Sequence, residues 1–225
     1  VPLIDLNRAI VKQGLKILKR RKNLGLKTLY DLCKIESEPT TYDLGFKLGP
    51  RINAGGRVGK SSHGAELLIS NDPQKAFQLA IDLDKSNLER RSIESIMSEQ
   101  INNEVKKFHN HPVLVISGKS WHEGVIGIVA ARIKDKYQKP TILISLNKNI
   151  GKGSARSVIG FDIGSEVIKA VQNKVLEKGG GHKMAAGFTI KEENISFFRD
   201  TLIKNYLKKS VNTVENSYLY LDSII

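Results

Sequence analysis

Four short stretches of this 225-residue chain set glycine beside arginine, serine, lysine or histidine in patterns suited to holding phosphate. In Gly49-Pro50-Arg51-Ile52-Asn53-Ala54-Gly55-Gly56-Arg57, the glycines permit close backbone approach and the guanidinium forks of Arg51 and Arg57 match phosphate oxygens. A tight loop whose arginines pair with nearby carboxylates fits those residues equally well. In Ser120-Trp121-His122-Glu123-Gly124-Val125-Ile126-Gly127, the amides of a helix start attract anions, and His122 beside them can bind phosphate or orient a water. Trp121 could stack on a base, but a lone tryptophan is better read as a core anchor.

The third stretch, Gly151-Lys152-Gly153-Ser154-Ala155-Arg156-Ser157, reads as a strand. Alternation puts Ser154 and Arg156 on one face, a hydroxyl and a guanidinium side by side. In the fourth, Gly179-Gly180-Gly181-His182-Lys183-Met184-Ala185-Ala186-Gly187, three successive glycines carry a large entropy cost, which makes sense where backbone meets a ligand closely. With His182 and Lys183 following, that ligand would be a phosphodiester backbone. A merely flexible loop leaves the small residues through Gly187 unexplained.

Hydrolytic machinery is not visible in the same way. A two-metal centre needs carboxylates converging on ions about 3.5–4 Å apart. Asp82 and Asp84 sit two apart in a helical stretch, about 200° around its axis, and cannot share an ion. His109 and His111 read as a surface pair before a strand. No catalytic residue and no metal ligand is assigned.

The elements that must position these stretches follow from the pattern. Residues 1–70 read as short helices and turns, with Leu15, Leu18, Leu24, Leu26, Leu29 and Leu32 interrupted by Gly25. The run Lys19-Arg20-Arg21-Lys22 is a solvated face at a helix end. Asp72-Pro73 starts a helix that meets no glycine or proline before about Phe108. Its ends carry apolar stripes, while its middle from Asp84 to Ser92 is polar all round, as expected of a helix bridging two bodies. Strands at Val113–Ile116, Thr141–Leu146, Gly153–Val158 and Ala186–Ile190 alternate with helices at Gly124–Tyr137, Asp162–Val175 and Glu192–Lys208. That is an α/β domain of mixed strands and helices.

Thirty-six Lys and Arg against 23 Asp and Glu leave a net charge of +13, which favours polyanionic partners. A lysine-rich proteome would give the same excess. No apolar run approaches the roughly 20 residues of a membrane span. Single Cys33 excludes an internal disulfide or a thiolate zinc cluster, is given no role, and fits a reducing, cytoplasmic compartment. Val1 in place of a start methionine reads as a piece of a longer protein.

In this order, Val1-Pro2-Leu3 with Asn7-Arg8, the Pro50–Arg57 turn, Trp121–Gly127 leading into Ala130-Ala131-Arg132, and Gly153–Ser157 followed by Gly180-Gly181-His182 resemble the RecJ family of bacterial single-strand-specific exonucleases, within the DHH phosphoesterase superfamily. Val58 and the second glycine of Ala54-Gly55-Gly56 depart mildly from the family's commoner Ala-Ala-Gly-Arg-Leu form. The resemblance implies an α/β chain made of the helical tail of a DHH catalytic domain (1–71), a connecting helix (72–109), a mixed-sheet DHH-associated domain (110–208) and the start of an OB-fold (209–225). It implies a 5′ to 3′ exonuclease of DNA repair and recombination, acting on single-stranded DNA with a 5′ end. Mn²⁺ or Mg²⁺ would serve the full-length enzyme, with none held here. By motif position, Ser154 and Arg156 would bind the terminal phosphate, Arg51 or Arg57 would add a second fork beside Asn53, and His122, Gly180, Gly181, His182 and Lys183 would follow the backbone in one groove. A phosphodiesterase for short oligonucleotides or cyclic dinucleotides, and a non-catalytic nucleic-acid binding module, are the alternatives.

Overall fold

The fold is mixed α/β, and the computed structural model describes residues 3–210. Val1, Pro2, the strand-like run Tyr218–Leu221 and all of the 209–225 segment beyond its first two residues lie outside the described residues. The chain divides into two compact units, Val1–Ser95 and Ile96–Ile225.

The first unit is helical: α1 (Asp5–Lys19), α2 (Leu24–Leu32), a wide π-helical turn (Asp43–Leu48) running directly into α3 (Gly49–Val58), α4 (His63–Ile69), and the first two-thirds of α5 (Pro73–Val105). Leu29, Tyr30, Leu48, Leu67, Leu79 and Leu83 form its core. Gly25 does not interrupt α2. It lies inside the helix, where a Cβ would stand 2.0 Å from the Leu67 carbonyl oxygen, so glycine lets α2 and α4 touch backbone to backbone. The basic run after α1 is only partly a solvated face, because Arg21 donates to the Ile35 carbonyl at 2.6 Å and lies over the Tyr30 ring.

Helix α5 starts as its sequence demands: Asp72 Oδ1 accepts from the amides of Gln74 (2.8 Å) and Lys75 (3.3 Å), with proline at the next position. Its middle is not bare as expected. Asn87 and Glu94 are buried at 3% and 2% exposure, and Arg90, on the same helix face, donates to Asn87 Oδ1 and Glu94 Oε2.

The second unit is built on a five-stranded sheet: β1 (Leu114–Lys119), β2 (Thr141–Asn147), β3 (Ile150–Arg156), β4 (Lys178–His182) and β5 (Ala185–Lys191), in the order β1-β2-β3-β5-β4. The β1–β2 pair is parallel and spanned by α6 (Glu123–Tyr137); every other pair is antiparallel. Strand β4, formed by the glycine run itself, was not expected. The final helix begins three residues late, after a 3₁₀ turn at Glu192–Asn194, as α8 (Ile195–Ser210).

One face of the sheet is a core in which Val113, Val115, Ile142, Ile144, Phe188 and Ile190 meet α7 (Ile163–Gln172) and α8 through Val167, Phe198 and Leu202. On the other face lies α6, which packs on β2 and β3. Trp121 is 8% exposed and its ring lies flat against Gly118, where a Cβ would stand 2.3 Å from the indole, so it is the core anchor its solitude suggested. Among the described residues, no helix is long and apolar enough to cross a membrane.

Candidate nucleic-acid interface

Strand alternation and register together decide what the second face presents. Ala155 points into the α7–α8 core, so Lys152, Ser154 and Arg156 point the opposite way. The register then places Lys152, Thr189 and Lys178 in one row, Ser154, Gly187 and Gly180 in the next, and Arg156, Ala185 and His182 in the third. Adjacent strands lie about 4.8 Å apart and successive rows about 6.8 Å apart. Two stretches thirty residues apart in sequence thus form one surface: cations at both ends, a hydroxyl between them, and a floor of glycine and alanine. No residue of β3, β4 or β5 that points to this face is acidic.

Helix α6 borders the surface. A Cβ on Gly127 would stand 2.9 Å from both Arg156 Nη2 and Ser154 Oγ, so the helix comes close enough to confine the guanidinium. Arg156 Nη1 donates to Ser154 Oγ at 3.1 Å and to the Ala155 carbonyl at 2.8 Å. A guanidinium has five N–H donors in a planar fork, and these two bonds orient it.

The three glycines of β4 divide by face. Cβ atoms on Gly179 and Gly181 would collide with Phe188 and Val167, and with the Ala185–Ala186 backbone; their smallness serves the core side. Gly180 has nothing within 4 Å of its Cβ position and lies on the open face with Gly187. The end of β4 is held by α7: the Ile163 amide donates to the Lys183 carbonyl at 3.2 Å, and Gly164 packs against the His182 backbone. Asp162 caps that helix, its carboxyl held below the usual range chiefly by the Ser165 amide. His182 Nδ1 accepts from the Met184 amide, so its neutral ring carries its proton on Nε2. Lys183 follows in the exposed turn to β5.

His122 makes the same bond at another place. It is the N-cap of α6, with Nδ1 accepting from the Gly124 amide at 3.1 Å. It follows the carboxyl end of β1, and the register sets that end about 17 Å along the strands from the row of Arg156 and His182. The two histidines are not brought together. His122 instead rims a concavity of about 740 Å³ with Trp121, Ser145, Asn147 and Lys148, which includes neither Ser154 nor Arg156.

In the first unit the Gly49–Arg57 stretch is helix α3, not a turn, because Pro50 suits a first helical turn and neither Gly55 nor Gly56 takes a left-handed conformation. Gly55 instead lets the Lys60 carbonyl approach, 2.7 Å from where a Cβ would lie. Of the two readings left open for the arginines, Arg51 takes the pairing one: Nε donates to Asp84 Oδ1 at 2.7 Å and Nη1 to the Lys47 carbonyl at 2.8 Å. Asn53 and Arg57 are exposed on the same helix.

Sequence reasoning passed over Lys152, Lys178 and Gly127. Parity with Ser154 would have selected Lys152. Lys178 and Gly127 carried no signal, because only strand pairing and helix packing bring them here.

A family model for the DHHA1 domain matches residues 110–209. The single-stranded-DNA-specific exonuclease RecJ of Haemophilus influenzae is 40% identical over 210 residues, which are 88% of this chain and 36% of that protein. RecJ of Bacillus subtilis is 36% identical over 206 residues, covering 90% and 26%. The crystal structure of RecJ from Thermus thermophilus in complex with Mn²⁺ superimposes with a TM-score of 0.82 at 28% identity, over 92% of this chain and 31% of that one. The chain thus spans about a third of the length of the curated relatives it matches. With nearly all of its length aligned to one family in both sequence and fold, the chain belongs to the RecJ family and carries that family's DHHA1 domain.

Proposed function

We propose that this chain grips the 5′ end of single-stranded DNA for a 5′ to 3′ exonuclease, in the cytoplasm, in DNA repair and recombination. The observation that carries the reading is the register that gathers Ser154, Arg156, Gly180 and His182 on one face, to which β3, β4 and β5 turn no acidic residue. A terminal phosphate there would be met by the Arg156 guanidinium, the Ser154 hydroxyl and the Nε2 proton of His182, over a floor that admits a sugar-phosphate backbone. The relatives' names describe action on single-stranded DNA, which agrees with a face that offers cations and hydroxyls to a phosphate backbone. On this reading, residues 1–71 are the tail of a DHH domain, 72–109 the connecting helix, 110–208 the DHH-associated domain, and 209–225 the start of an OB-fold.

Mn²⁺ accompanies the T. thermophilus relative in one crystal structure and Mg²⁺ in another. The described residues do not fit such an ion. No three His, Cys, Asp or Glu among them converge, and the buried or half-buried carboxylates Asp43, Asp84, Glu94 and Glu166 face Lys47, Arg51, Arg90 and Lys209. Hydrolysis is therefore not routed through any of them, and the ions of the whole enzyme would be held by other residues.

Binding of 5′-phosphorylated and 5′-hydroxyl oligodeoxynucleotides by this chain, measured by fluorescence anisotropy across a salt series, tests the reading. The phosphorylated end should bind more tightly, and log affinity should fall with log salt by about 0.7 per neutralised phosphate. Salt-insensitive binding, or equal affinity for both ends, would overturn it. Affinity that stops rising after a few nucleotides would favour a short-oligonucleotide phosphodiesterase. Tighter binding of folded RNA, indifferent to a 5′ phosphate, would favour a non-catalytic module.

A further inference from the structure

Two rows along the sheet from Arg156 and His182, the same face carries a pair of lysines. Lys152 and Lys178 flank Thr189 in a single cross-strand row, and Lys152 Nζ leans across it to bond Thr189 Oγ1 at 3.1 Å. That row lies about 13 Å from the Arg156 row, or four residues of strand. Between them is the floor of Ser154, Gly187 and Gly180, where no side chain larger than serine rises. Gly180 and Gly187 both point outward there. The nearest atom to a Cβ on Gly187 would be the Gly153 carbonyl oxygen at 3.8 Å, and a Cβ on Gly180 would meet nothing within 4 Å. Glycine at these two positions is thus not required by packing against the rest of the chain, and what it leaves is a smooth channel with Arg156 and His182 at one end and two lysines at the other. Lys191, one row further, is drawn towards Glu177 at 3.8 Å.

We propose that Lys152 and Lys178 are a second phosphate subsite, holding an internal phosphate of the same single strand of DNA whose 5′ end lies at Arg156. The inference rests on the 5′-end reading above and adds the path: the strand runs along the sheet, over Gly180 and Gly187, from the Arg156–His182 row to the Lys152–Lys178 row. Two lysines suit this role, because a flexible point charge tolerates the backbone irregularity of a single strand while a planar fork suits a fixed terminal group.

The test is a length series of 5′-phosphorylated oligothymidylates, from mononucleotide to hexanucleotide, titrated against the 225-residue chain and its variants. In the Lys152→Ala/Lys178→Ala double variant, the affinity lost should grow from the mononucleotide to the hexanucleotide. The salt slope on the hexanucleotide should fall by about 1.4, at 0.7 for each cation removed. Lys178→Ala alone should show about half of that, and since Lys178 is exposed and holds no core contact, its loss cannot come from unfolding. Lys152→Arg/Lys178→Arg should restore the slope. A double variant that matches the parent at every length, or that loses the same factor on mononucleotide and hexanucleotide, overturns the proposal. If instead Arg156→Ala leaves binding unchanged at every length, the 5′-end reading itself has failed.

Discussion

The guanidinium of Arg156 is tied to the hydroxyl of Ser154, two residues back on the same strand face, by a 3.1 Å hydrogen bond from Nη1. The bond fixes which side of the arginine plane looks along the strand and which looks away from it. A guanidinium oriented in advance loses less rotamer freedom when an anion arrives, which makes the half-buried face of β3 a usable phosphate clamp.

Removing the fork should therefore cost more than removing its support. Arg156→Ala is expected to weaken binding of 5′-phosphorylated single-stranded DNA by about 10- to 100-fold, the range for a charge-assisted hydrogen bond of about 1.5–3 kcal/mol. Ser154→Ala should cost roughly 3- to 10-fold, as for a neutral bond of about 0.5–1.5 kcal/mol. Arg156→Lys, which keeps charge but not the fork, should fall between them. Titration with phosphorylated and unphosphorylated oligonucleotides checks the order.

Gly127→Ala should separate binding from stability. Its new methyl group would press on Arg156 Nη2 and Ser154 Oγ, the movable ends of two side chains, rather than on backbone. The melting temperature should hold or rise slightly, since alanine favours the interior of α6 by about 1 kcal/mol over glycine. Affinity for a 5′ phosphate should drop as the guanidinium is displaced. Equal affinity in the variant would show that the observed arginine position is not the binding one.

The two faces of the sheet predict opposite outcomes for two nearby glycines. Gly153→Ala places a methyl 2.1 Å from Phe188 Cζ in the packed core, and should destabilise by about 1–3 kcal/mol through overpacking. Gly180→Ala meets nothing within 4 Å, and should leave thermal stability within about 1 kcal/mol while reducing single-strand affinity. Thermal melts alongside binding titrations distinguish them, and a Gly180→Ala variant as unstable as Gly153→Ala would refute the assignment of faces.

Asp43 gives the first unit a defined acid response. Its carboxyl is pulled down to about 2, first by the hydrogen bond from Lys47 and then by those from the Thr40 hydroxyl and amide. A lowered folded-state value stabilises the folded form above the unfolded value of about 4. That stabilisation is lost as pH falls from there through about 2. Asp43→Asn should therefore lower the melting temperature at neutral pH. The gap between parent and variant should close as the pH drops through that window. A gap that stays constant down to pH 2 would count against the ion pair.

The sequence alone determined the order and kind of most elements in the second unit, because buried strands and amphipathic helices announce themselves by apolar period, and because Asp162 sits where a helix start needs an acceptor. It also determined that Ser154 and Arg156 share a face, since that follows from a period of two. It misread Gly25 and the Gly49–Arg57 stretch, where glycine signalled a break but serves close helix packing. Only the tertiary structure made β4 a strand, matched Gly180 and His182 to Ser154 and Arg156, set His122 at the other end of the sheet, and paired Arg51 with Asp84. The physical reason is that alternation is a property of one strand, readable from neighbours in the chain. Register is a property of two strands, fixed by hydrogen bonds and packing between residues far apart in sequence.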